Sequence, residues 1–401
     1  HLFEAYKKNN RDPKVLEGLG KMSFFYNEMD GVTKYYYQLL QIKPDYTNIW
    51  SSYIASLNYQ SSFDQKKYLE ICKKFDDLPK INIDNFKKET QKNQKIKIGF
   101  LSADLKTHSV SFFLKDVVKY IDKKDFELHA ISNLNLAEHD QITKELKSYF
   151  EKWHNIKDFS DKELIKYIRS QNLNIIVDLC GHTYNNRINI LRSRCAPIQI
   201  SWLGYCNSLG LKNMDYLIAD KYLIKENEKN LYVEKILYMP NIWNAYSKPK
   251  NFPEIKLKKN TEKIFTFGSF NNFKKISNST IKTWCKILNS GNSRLILKNS
   301  VSINIRRSKE ILINKFIKEK VDIKKIVIID TEIKINDHLE CYNKVDLALD
   351  TFPYPGVTTT FESILMGVPV LTMKGFNFNS RCGESININL GLNELIADSE
   401  N

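Results

Sequence analysis

The chain has 401 residues, 42% of them hydrophobic, and a formal net charge of +15 at pH 7. This length allows two or three domains with packed cores. The positive charge comes from lysines spread along the chain, without a basic tail or an arginine-rich helix, so we do not expect nucleic-acid binding. Because no apolar run approaches the roughly 18 residues that span a bilayer, we expect no contact with a membrane.

The cysteines and the two ends of the chain bear on its location. The seven cysteines form no CxxC pair and do not suggest a small disulfide framework. The first residues, HLFEAYKKNN, are unlike a signal peptide. Both observations predict a reducing, cytoplasmic setting. Since the sequence lacks an initiator Met and stops soon after a helical stretch, we expect a fragment at both ends.

Residues 1–76 are predicted to be all-α and are called the helical segment below. Leu16 and Trp50 stand 34 residues apart in similar surroundings, a spacing that resembles tetratricopeptide repeats. Two interpretations stay open: the end of a superhelix with a concave peptide-binding surface, or a helical cap that only packs on the next domain. Residues 77–95 are polar and lysine-rich and are predicted to form a linker.

From residue 96 the pattern alternates between strands and helices, which predicts two α/β domains with parallel sheets, residues 96–243 and 244–401. Predicted strands of the first are Ile96–Leu101, Phe126–Ile131, Ile175–Leu179, Ile198–Leu203 and Tyr216–Ala219, with helices at Ser111–Ile121 and Lys162–Ser170. Those of the second are Ile264–Phe270, Arg294–Leu297, Ile326–Ile329, Val345–Leu349 and Val370–Thr372. Two doubly wound domains in tandem predict a ligand cleft between them.

Polar clusters follow three predicted strands of the first domain. His108 lies in the first cluster and is a candidate general base or ligand-binding group, or a solvated loop residue. Asp178, His182 and Thr183 lie in the second cluster and are candidates for an acceptor-site wall. The alternative for His182 is a structural hydrogen bond to a neighbouring loop. Tyr205 lies in the third cluster, whose two glycines and lack of ionisable groups also suit a wall.

In the second domain, Lys274 and Lys275 follow a strand. A lysine at such an edge can neutralise a diphosphate leaving group, although either one is equally a solvated surface group. His338 is a candidate for contact with a base, or an exposed helix residue. No cluster has metal-ligand spacing, so we expect no metal. The chain has neither a Gly-x-Gly-x-x-Gly nor a Walker sequence, which argues against dinucleotide oxidoreductases and P-loop ATPases.

Residues 345–375 combine a buried strand, a turn broken by prolines and a glycine, and a helix. Hydroxyls and backbone N–H groups of Thr358–Thr360 stand at the helix start, where α/β proteins bind phosphates. Glu362, one turn inside, is placed to accept hydrogen bonds from ribose hydroxyls. The alternative is an ordinary strand–turn–helix without a ligand.

Five motifs together closely resemble the protein O-GlcNAc transferase and SPINDLY family over residues 96–392: LSADLKTHSVSFFL, DLCGHTYNNR, CAPIQISWLGYCNSLGLKNMDYLIAD, FGSFNNFKKIS and LDTFPYPGVTTTFESILMGVPVLTM. The resemblance implies a GT-B fold of two doubly wound, Rossmann-like domains behind the tetratricopeptide-like repeats. It also implies inverting transfer from a nucleotide-sugar, without a metal or another cofactor, to a protein or peptide acceptor along the repeats. By the same resemblance we expect the second domain to be truncated at its C-terminus.

The resemblance implies roles for single residues. His108 matches the active-site histidine of the first domain, and Lys275 matches the lysine that contacts the donor diphosphate. His338 stands beside the base, and Glu362 stands where an acidic residue holds the ribose. The implied nucleotide-sugar-binding residues are Asn272, His338, Thr358, Thr359, Thr360 and Glu362.

Some positions differ from the animal O-GlcNAc transferases. Val357 stands where those enzymes have a histidine, and Asn272 and Lys274 stand in place of Gln and Tyr. Ile335 replaces a lysine. The patterns TFPYxGxTTTxES and GHTxNN look closer to SPINDLY and its bacterial relatives, among which protein O-fucosyltransferases occur. UDP-GlcNAc is the predicted donor, with a GDP-fucose or glucosyl donor, or a non-catalytic repeat scaffold, as alternatives.

Overall fold

The computed structural model describes residues 1–86, 95–250, 252–256, 264–299, 305–329 and 334–399. Part of the predicted linker, residues 87–94, and part of the predicted loop before the second sheet, residues 251 and 257–263, lie outside this range. The chain divides into two compact units. Unit 1 comprises His1–Pro44, Ser56–Phe63 and Pro249–Asn401, and unit 2 comprises Asp45–Ala55 and Asp64–Lys248.

The helical segment contains five helices: α1 Leu2–Lys8, α2 Pro13–Phe25, α3 Met29–Ile42, α4 Thr47–Leu57 and α5 Gln65–Asp76. Helices α2 and α5 start where the carboxylates of Asp12 and Asp64 accept hydrogen bonds from first-turn backbone N–H groups. In unit 2, α5 packs closely on a loop at Gly210, where a Cβ would lie 2.1 Å from Cys72 Cβ. These helices lie where repeats were predicted, and their assignment as tetratricopeptide repeats stays a prediction.

Unit 2 contains a seven-stranded parallel sheet with the order β3-β2-β1-β4-β5-β6-β7. Its strands are β1 Ile96–Ser102, β2 Phe126–Ser132, β3 Lys152–Asn155, β4 Ile175–Asp178, β5 Ile198–Ser201, β6 Tyr216–Ala219 and β7 Lys235–Tyr238. Its helices are α6 Ser109–Tyr120, α7 Gln141–Lys147, α8 Asp161–Ser170 and α9 Ile188–Leu191. Because β1, β4 and β5 are neighbours, the three predicted polar clusters follow adjacent strands.

Unit 1 contains a six-stranded parallel sheet with the order β10-β9-β8-β11-β12-β13. Its strands are β8 Phe265–Ser269, β9 Ser293–Lys298, β10 Ile326–Ile329, β11 Leu347–Leu349, β12 Val370–Met373 and β13 Ile396–Ala397. Its helices are α10 Asn278–Asn289, α11 Ile305–Lys318, α12 Ile335–Glu340, α13 Thr358–Leu365 and α14 Cys382–Asn389. Leu295 and Leu297 enter one apolar cluster and Ile296 enters another, so both faces of the sheet are covered.

The prediction of two doubly wound parallel sheets behind an all-α segment is confirmed. The predicted strand Ile198–Leu203 is too long, because β5 ends at Ser201 and Leu203 adopts a positive φ of 69°. Strands β3, β7 and β13 were missed, since they have at most four residues and little apolar alternation. The predicted domain boundaries stay a prediction.

Candidate active site

The turn between β11 and α13, residues 350–357, is organised by the carboxylate of Asp350. It accepts hydrogen bonds from the Gly356 N–H at 2.7 Å, the Thr372 hydroxyl at 2.9 Å and the Asn271 amide at 3.3 Å. Burial raises the pKa of Asp350, and these hydrogen bonds oppose the rise. Asp350 therefore fixes the path of the β11–α13 turn.

Helix α13 begins at Thr358, and no side chain at its N-cap bonds its first N–H groups. The Thr359 hydroxyl donates to Asn271 Oδ1 at 2.9 Å. Gly356 permits this approach, because a Cβ there would lie 2.5 Å from Thr359 Oγ1. Thr358 and Thr359 are partly exposed, whereas Thr360 is buried. A helix start of this kind, with N–H groups and hydroxyls, suits a phosphate.

Lys274 and Lys275 are neighbours in sequence but contact different parts of unit 1. Lys275 Nζ donates to the Pro355 carbonyl at 2.8 Å and lies 4.4 Å from the centroid of the Tyr354 ring. Lys274 Nζ lies 3.3 Å from the ring centroid of Phe24 in α2, and burial lowers the pKa of Lys274 to about 8. The Lys275 ammonium group therefore contacts the β11–α13 turn, whereas the Lys274 ammonium group contacts the helical segment.

His338 is held between a lysine and a carboxylate. Its Nδ1 lies 2.7 Å from Lys298 Nζ and its Nε2 lies 3.0 Å from Glu362 Oε2. An ammonium group only donates, so Nδ1 accepts, and Nε2 carries the proton and donates a hydrogen bond to the Glu362 carboxylate. The rings of Phe270 and Tyr342 flank the imidazole at centroid distances of 6.1 and 5.8 Å. These contacts fix the ring, and only 12% of the His338 side chain is exposed.

Asn272 has a local structural role. Its Oδ1 accepts from the Lys274 backbone N–H at 3.1 Å and caps the short 3-10 helix Phe273–Lys275. This cap shapes the turn that carries Lys275. The structure thus places Asn272, Lys275, Thr358–Thr360 and the pair of His338 and Glu362 in unit 1, in loops and helix starts around one sheet.

His108 lies in unit 2, at the N-cap of α6. Its Nδ1 accepts from the Val110 N–H at 3.3 Å, and Asp104 Oδ2 lies 3.9 Å from the same atom. With Nδ1 as the acceptor, the neutral ring carries its proton on Nε2. The side chain is 44% exposed. In this arrangement the half-exposed ring offers Nε2 as a hydrogen-bond donor, and the catalytic role of His108 stays a prediction.

His182 is buried, and both of its ring nitrogens contact the protein. Nε2 lies 3.2 Å from the Leu209 carbonyl, and Nδ1 lies 3.0 Å from Ser51 Oγ of α4. Since a carbonyl only accepts, Nε2 carries the proton and Nδ1 accepts from Ser51. Burial lowers the pKa of His182 to about 4. These contacts fit the structural alternative, a hydrogen bond to a neighbouring loop.

The other wall candidates also have structural contacts. Asp178 is buried, accepts from the Gly181 N–H at 2.7 Å, and has a pKa that burial raises to about 6. The hydroxyls of Tyr205 and Tyr68 lie 2.8 Å apart. The Thr183 hydroxyl donates to a carbonyl of its own turn at 2.8 Å. These residues hold the loop and α5 together, and their role as a wall for the acceptor stays a prediction.

Three residues of this region, Lys298, Asp350 and Tyr354, were not predicted to have a role in the site. Lys298 ends a buried aliphatic strand. Because charged residues are rarely buried, this position could have been predicted to have a role from the sequence. Asp350 likewise ends a buried strand. Nothing in the sequence around Tyr354 indicates that its ring contacts an ammonium group.

The described part of the chain lacks two general features. Within it, no group of three or more His, Cys, Asp or Glu side chains is arranged to hold a metal ion. None of the helices in the same ranges has the length and apolarity needed to cross a membrane.

Comparison with known proteins shows one family. The sequence profile of Glycosyl transferase family 41 matches residues 63–264 and 256–401. A rice protein (Oryza sativa subsp. japonica), named as a probable UDP-N-acetylglucosamine–peptide N-acetylglucosaminyltransferase SPINDLY, is 33% identical over 379 residues, which are 91% of this chain and 40% of that protein. The tomato (Solanum lycopersicum) protein of the same name is 34% identical over 316 residues, 76% of this chain and 33% of that protein. The chain thus spans 40% or less of these relatives.

One solved structure resembles the whole chain. A mutant of the Thermobaculum terrenum O-GlcNAc transferase superposes with a TM-score of 0.89 at 25% identity, covering 100% of this chain and 76% of that one. This similarity confirms the predicted fold class, two Rossmann-like domains of the GT-B type behind helices.

Proposed function

The chain belongs to glycosyltransferase family 41, and we propose that it transfers N-acetylglucosamine from UDP-N-acetylglucosamine to Ser or Thr hydroxyls of proteins. The observation that carries the proposal is the position of Lys275, whose ammonium group lies at the β11–α13 turn, beside the start of α13. The names of the rice and Thermobaculum terrenum proteins support the choice of sugar.

The proposed reaction is a single displacement with inversion. The acceptor hydroxyl oxygen forms a bond to the anomeric carbon, the bond from that carbon to the diphosphate oxygen breaks, and the hydroxyl proton is lost to a base. Negative charge develops on the departing diphosphate. Lys275 and the backbone N–H groups at Thr358–Thr360 stabilise this charge, because they are positioned before the reaction begins.

The remaining residues bind or orient the substrates in this proposal. His338 and Glu362 hold the nucleoside, and Asn272 shapes the turn that carries Lys275. His108 orients the acceptor hydroxyl by donating from Nε2. The protein acceptor lies along the helical segment. A cytoplasmic setting suits the seven cysteines, which are all free thiols, six of them buried.

A second donor is favoured by one observation. Val357 stands immediately before the threonines of α13, where the resemblance implies a histidine in the animal enzymes. Since this residue adjoins the proposed diphosphate site, its change bears on donor choice. GDP-fucose is therefore the alternative donor.

The proposal is tested by calorimetry with UDP, GDP and uridine, followed by a transfer assay with labelled UDP-N-acetylglucosamine and cell-extract proteins. We expect tighter binding of UDP than of GDP or uridine, and label on Ser or Thr. Lys275→Ala should remove most of the difference between UDP and uridine, since that difference is diphosphate binding. The control is Lys282→Ala, which removes an exposed lysine on α10 and so changes the net charge by the same amount.

The other outcomes change the assignment. Preference for GDP, with transfer from GDP-fucose, replaces the donor. Binding of neither nucleotide, with no transfer from either sugar, contradicts the enzymatic proposal and leaves a repeat scaffold as the better account.

A further inference from the structure

The segment Ser56–Phe63, between α4 and α5, belongs to unit 1 together with the second sheet. Within this unit, Tyr59 packs against Tyr354 of the β11–α13 turn. The two ring centroids lie 4.7 Å apart with an interplanar angle of 35°. Burial raises the pKa of Tyr59 to about 12, so its phenol is neutral at physiological pH. The helical segment therefore contributes an aromatic ring to the turn that carries the proposed diphosphate site.

Two further contacts join the same segment to this turn. Phe63 stacks on Phe376 at a centroid distance of 5.7 Å, and Phe376 meets the Phe352 ring edge-on at 5.8 Å. The Asn379 amide lies 3.4 Å from the Asn58 carbonyl and 3.4 Å from the Pro353 carbonyl. Each of residues 352, 353 and 354 is therefore linked to Ser56–Phe63, either by direct contact or through one intervening side chain.

The segment is itself anchored on α3. The Thr33 hydroxyl donates to Ser56 Oγ at 2.8 Å, and the Gln60 amide donates to Thr33 Oγ1 at 3.1 Å. These hydrogen bonds hold Ser56 and Gln60, which lie on either side of Tyr59 in the sequence, against α3. Tyr59 therefore rests on a fixed base rather than on a free loop.

Tyr354 is the point at which these contacts meet Lys275. The Lys275 ammonium lies 4.4 Å from the Tyr354 centroid and bonds to the carbonyl of the next residue, Pro355. A cation over an aromatic face is attracted by the negative face of the ring, more strongly where water is excluded. A lysine side chain otherwise has many rotamers, so the ring and the carbonyl together select one position of the ammonium group.

We propose that Tyr59 and Tyr354 are positioning residues, which hold the Lys275 ammonium where it meets the departing diphosphate. This inference rests on the proposed function of Lys275. It assigns the helical segment a part in the chemical step, in addition to any role in binding the acceptor. A misplacement of about 1 Å at a reacting centre can cost as much as 100-fold in rate. Loss of the ring that supports the Lys275 ammonium should therefore lower the turnover rate.

The first experiment compares Tyr59→Leu with Tyr59→Phe, which keeps the ring and removes the hydroxyl. We expect Tyr59→Leu to lower kcat by about tenfold and to change the donor KM by less than about threefold, because Lys275 acts mainly on transition-state charge. Tyr59→Phe should keep wild-type kcat. In a Lys275→Ala background, Tyr59→Leu should cause little further loss, whereas a general structural defect would reduce kcat again.

The second experiment observes Lys275 without using activity. In protein labelled with ¹³C at lysine Cε, the Lys275 signal is assigned by its loss in Lys275→Arg. A ring current from Tyr354 should move this signal upfield. Tyr354→Leu should abolish the shift, Tyr59→Leu should reduce it, and Tyr59→Phe should preserve it.

The two experiments separate the possible failures. If the signal responds as expected but no transfer occurs, the proposed function is wrong and the positioning stands. If Tyr59→Leu keeps wild-type kcat, or lowers kcat without moving the Lys275 signal, the positioning is overturned.

Discussion

Both sheets carry polar residues at the ends of neighbouring parallel strands, yet the two sets differ in their contacts. In unit 2, His182 and Asp178 are buried, and they bond to Leu209, Ser51 and Gly181 of their own unit. In unit 1, the polar residues contact lysine side chains or lie at the start of a helix. Lys275 lies at the β11–α13 turn, and Lys298 contacts His338, which contacts Glu362.

The difference shows that a polar strand end is not by itself a chemical site. His182 and His108 both follow a buried strand of unit 2, yet their environments differ. His182 is 1% exposed, whereas the His108 side chain is 44% exposed. What distinguishes a site is a partly exposed cation together with the backbone N–H groups of a helix start. Unit 1 has both, so we expect its residues to control the rate and the buried residues of unit 2 to control stability.

The largest effect is expected for Lys275→Ala. Turnover should fall by about 100-fold or more, because charge on the leaving diphosphate is no longer neutralised. The melting temperature should change little, since Lys275 is only partly buried. Steady-state assays and thermal melts check both, with Lys282→Ala as the control. Wild-type turnover in Lys275→Ala would place the chemistry elsewhere and remove the contrast between the units.

The second effect concerns His182. His182→Ala removes a buried ring and two hydrogen bonds, so the free energy of unfolding should fall by about 2 kcal/mol or more. Urea denaturation measures this change. His108→Ala is the matched control, because it removes a half-exposed ring and one 3.3 Å bond from the Val110 N–H, so it should cost much less stability than His182→Ala while it lowers turnover. Equal stability of the two variants would contradict the structural assignment of His182.

The smallest effect is a pH dependence in unit 2. His129 and His154 are buried, with His129 Nδ1 and His154 Nε2 3.0 Å apart, and burial lowers the pKa of His154 to about 4 and that of His129 below its usual value. Between about pH 6.5 and pH 4 the unfolded chain binds protons that these folded histidines do not, so stability falls as pH falls. Asp178 opposes this, since its pKa of about 6 lies above its unfolded value.

The measurement is the urea midpoint at pH 7.5 and pH 5 for the wild type and for His154→Gln. The variant lacks one of the titrating groups, so its midpoint should fall less on acidification. A larger fall in the variant than in the wild type would show that His154 is charged in the folded protein. Asp178→Asn should increase the fall, because the opposing group is then absent.

The fold was largely predictable because both sheets follow from regular alternation of strands and helices. The strand ends also pointed to the loops that carry Lys275, Thr358 and His108. Burial was not predictable, since a short sequence does not show what packs over it, and His182 and His108 look alike at that level. The contact of Tyr59 with Tyr354 joins residues far apart in the chain, so no local pattern indicates it.

The contact between Tyr59 and Tyr354 also matters for anyone who shortens this protein. Deleting everything before β1 would appear to isolate the two parallel sheets, yet it would uncover the Tyr354 ring and the apolar face of Phe376. Exposure of these rings favours aggregation, and the same deletion removes the support that we propose for Lys275. A useful shortened version therefore retains α4 and α5 with the chain between them.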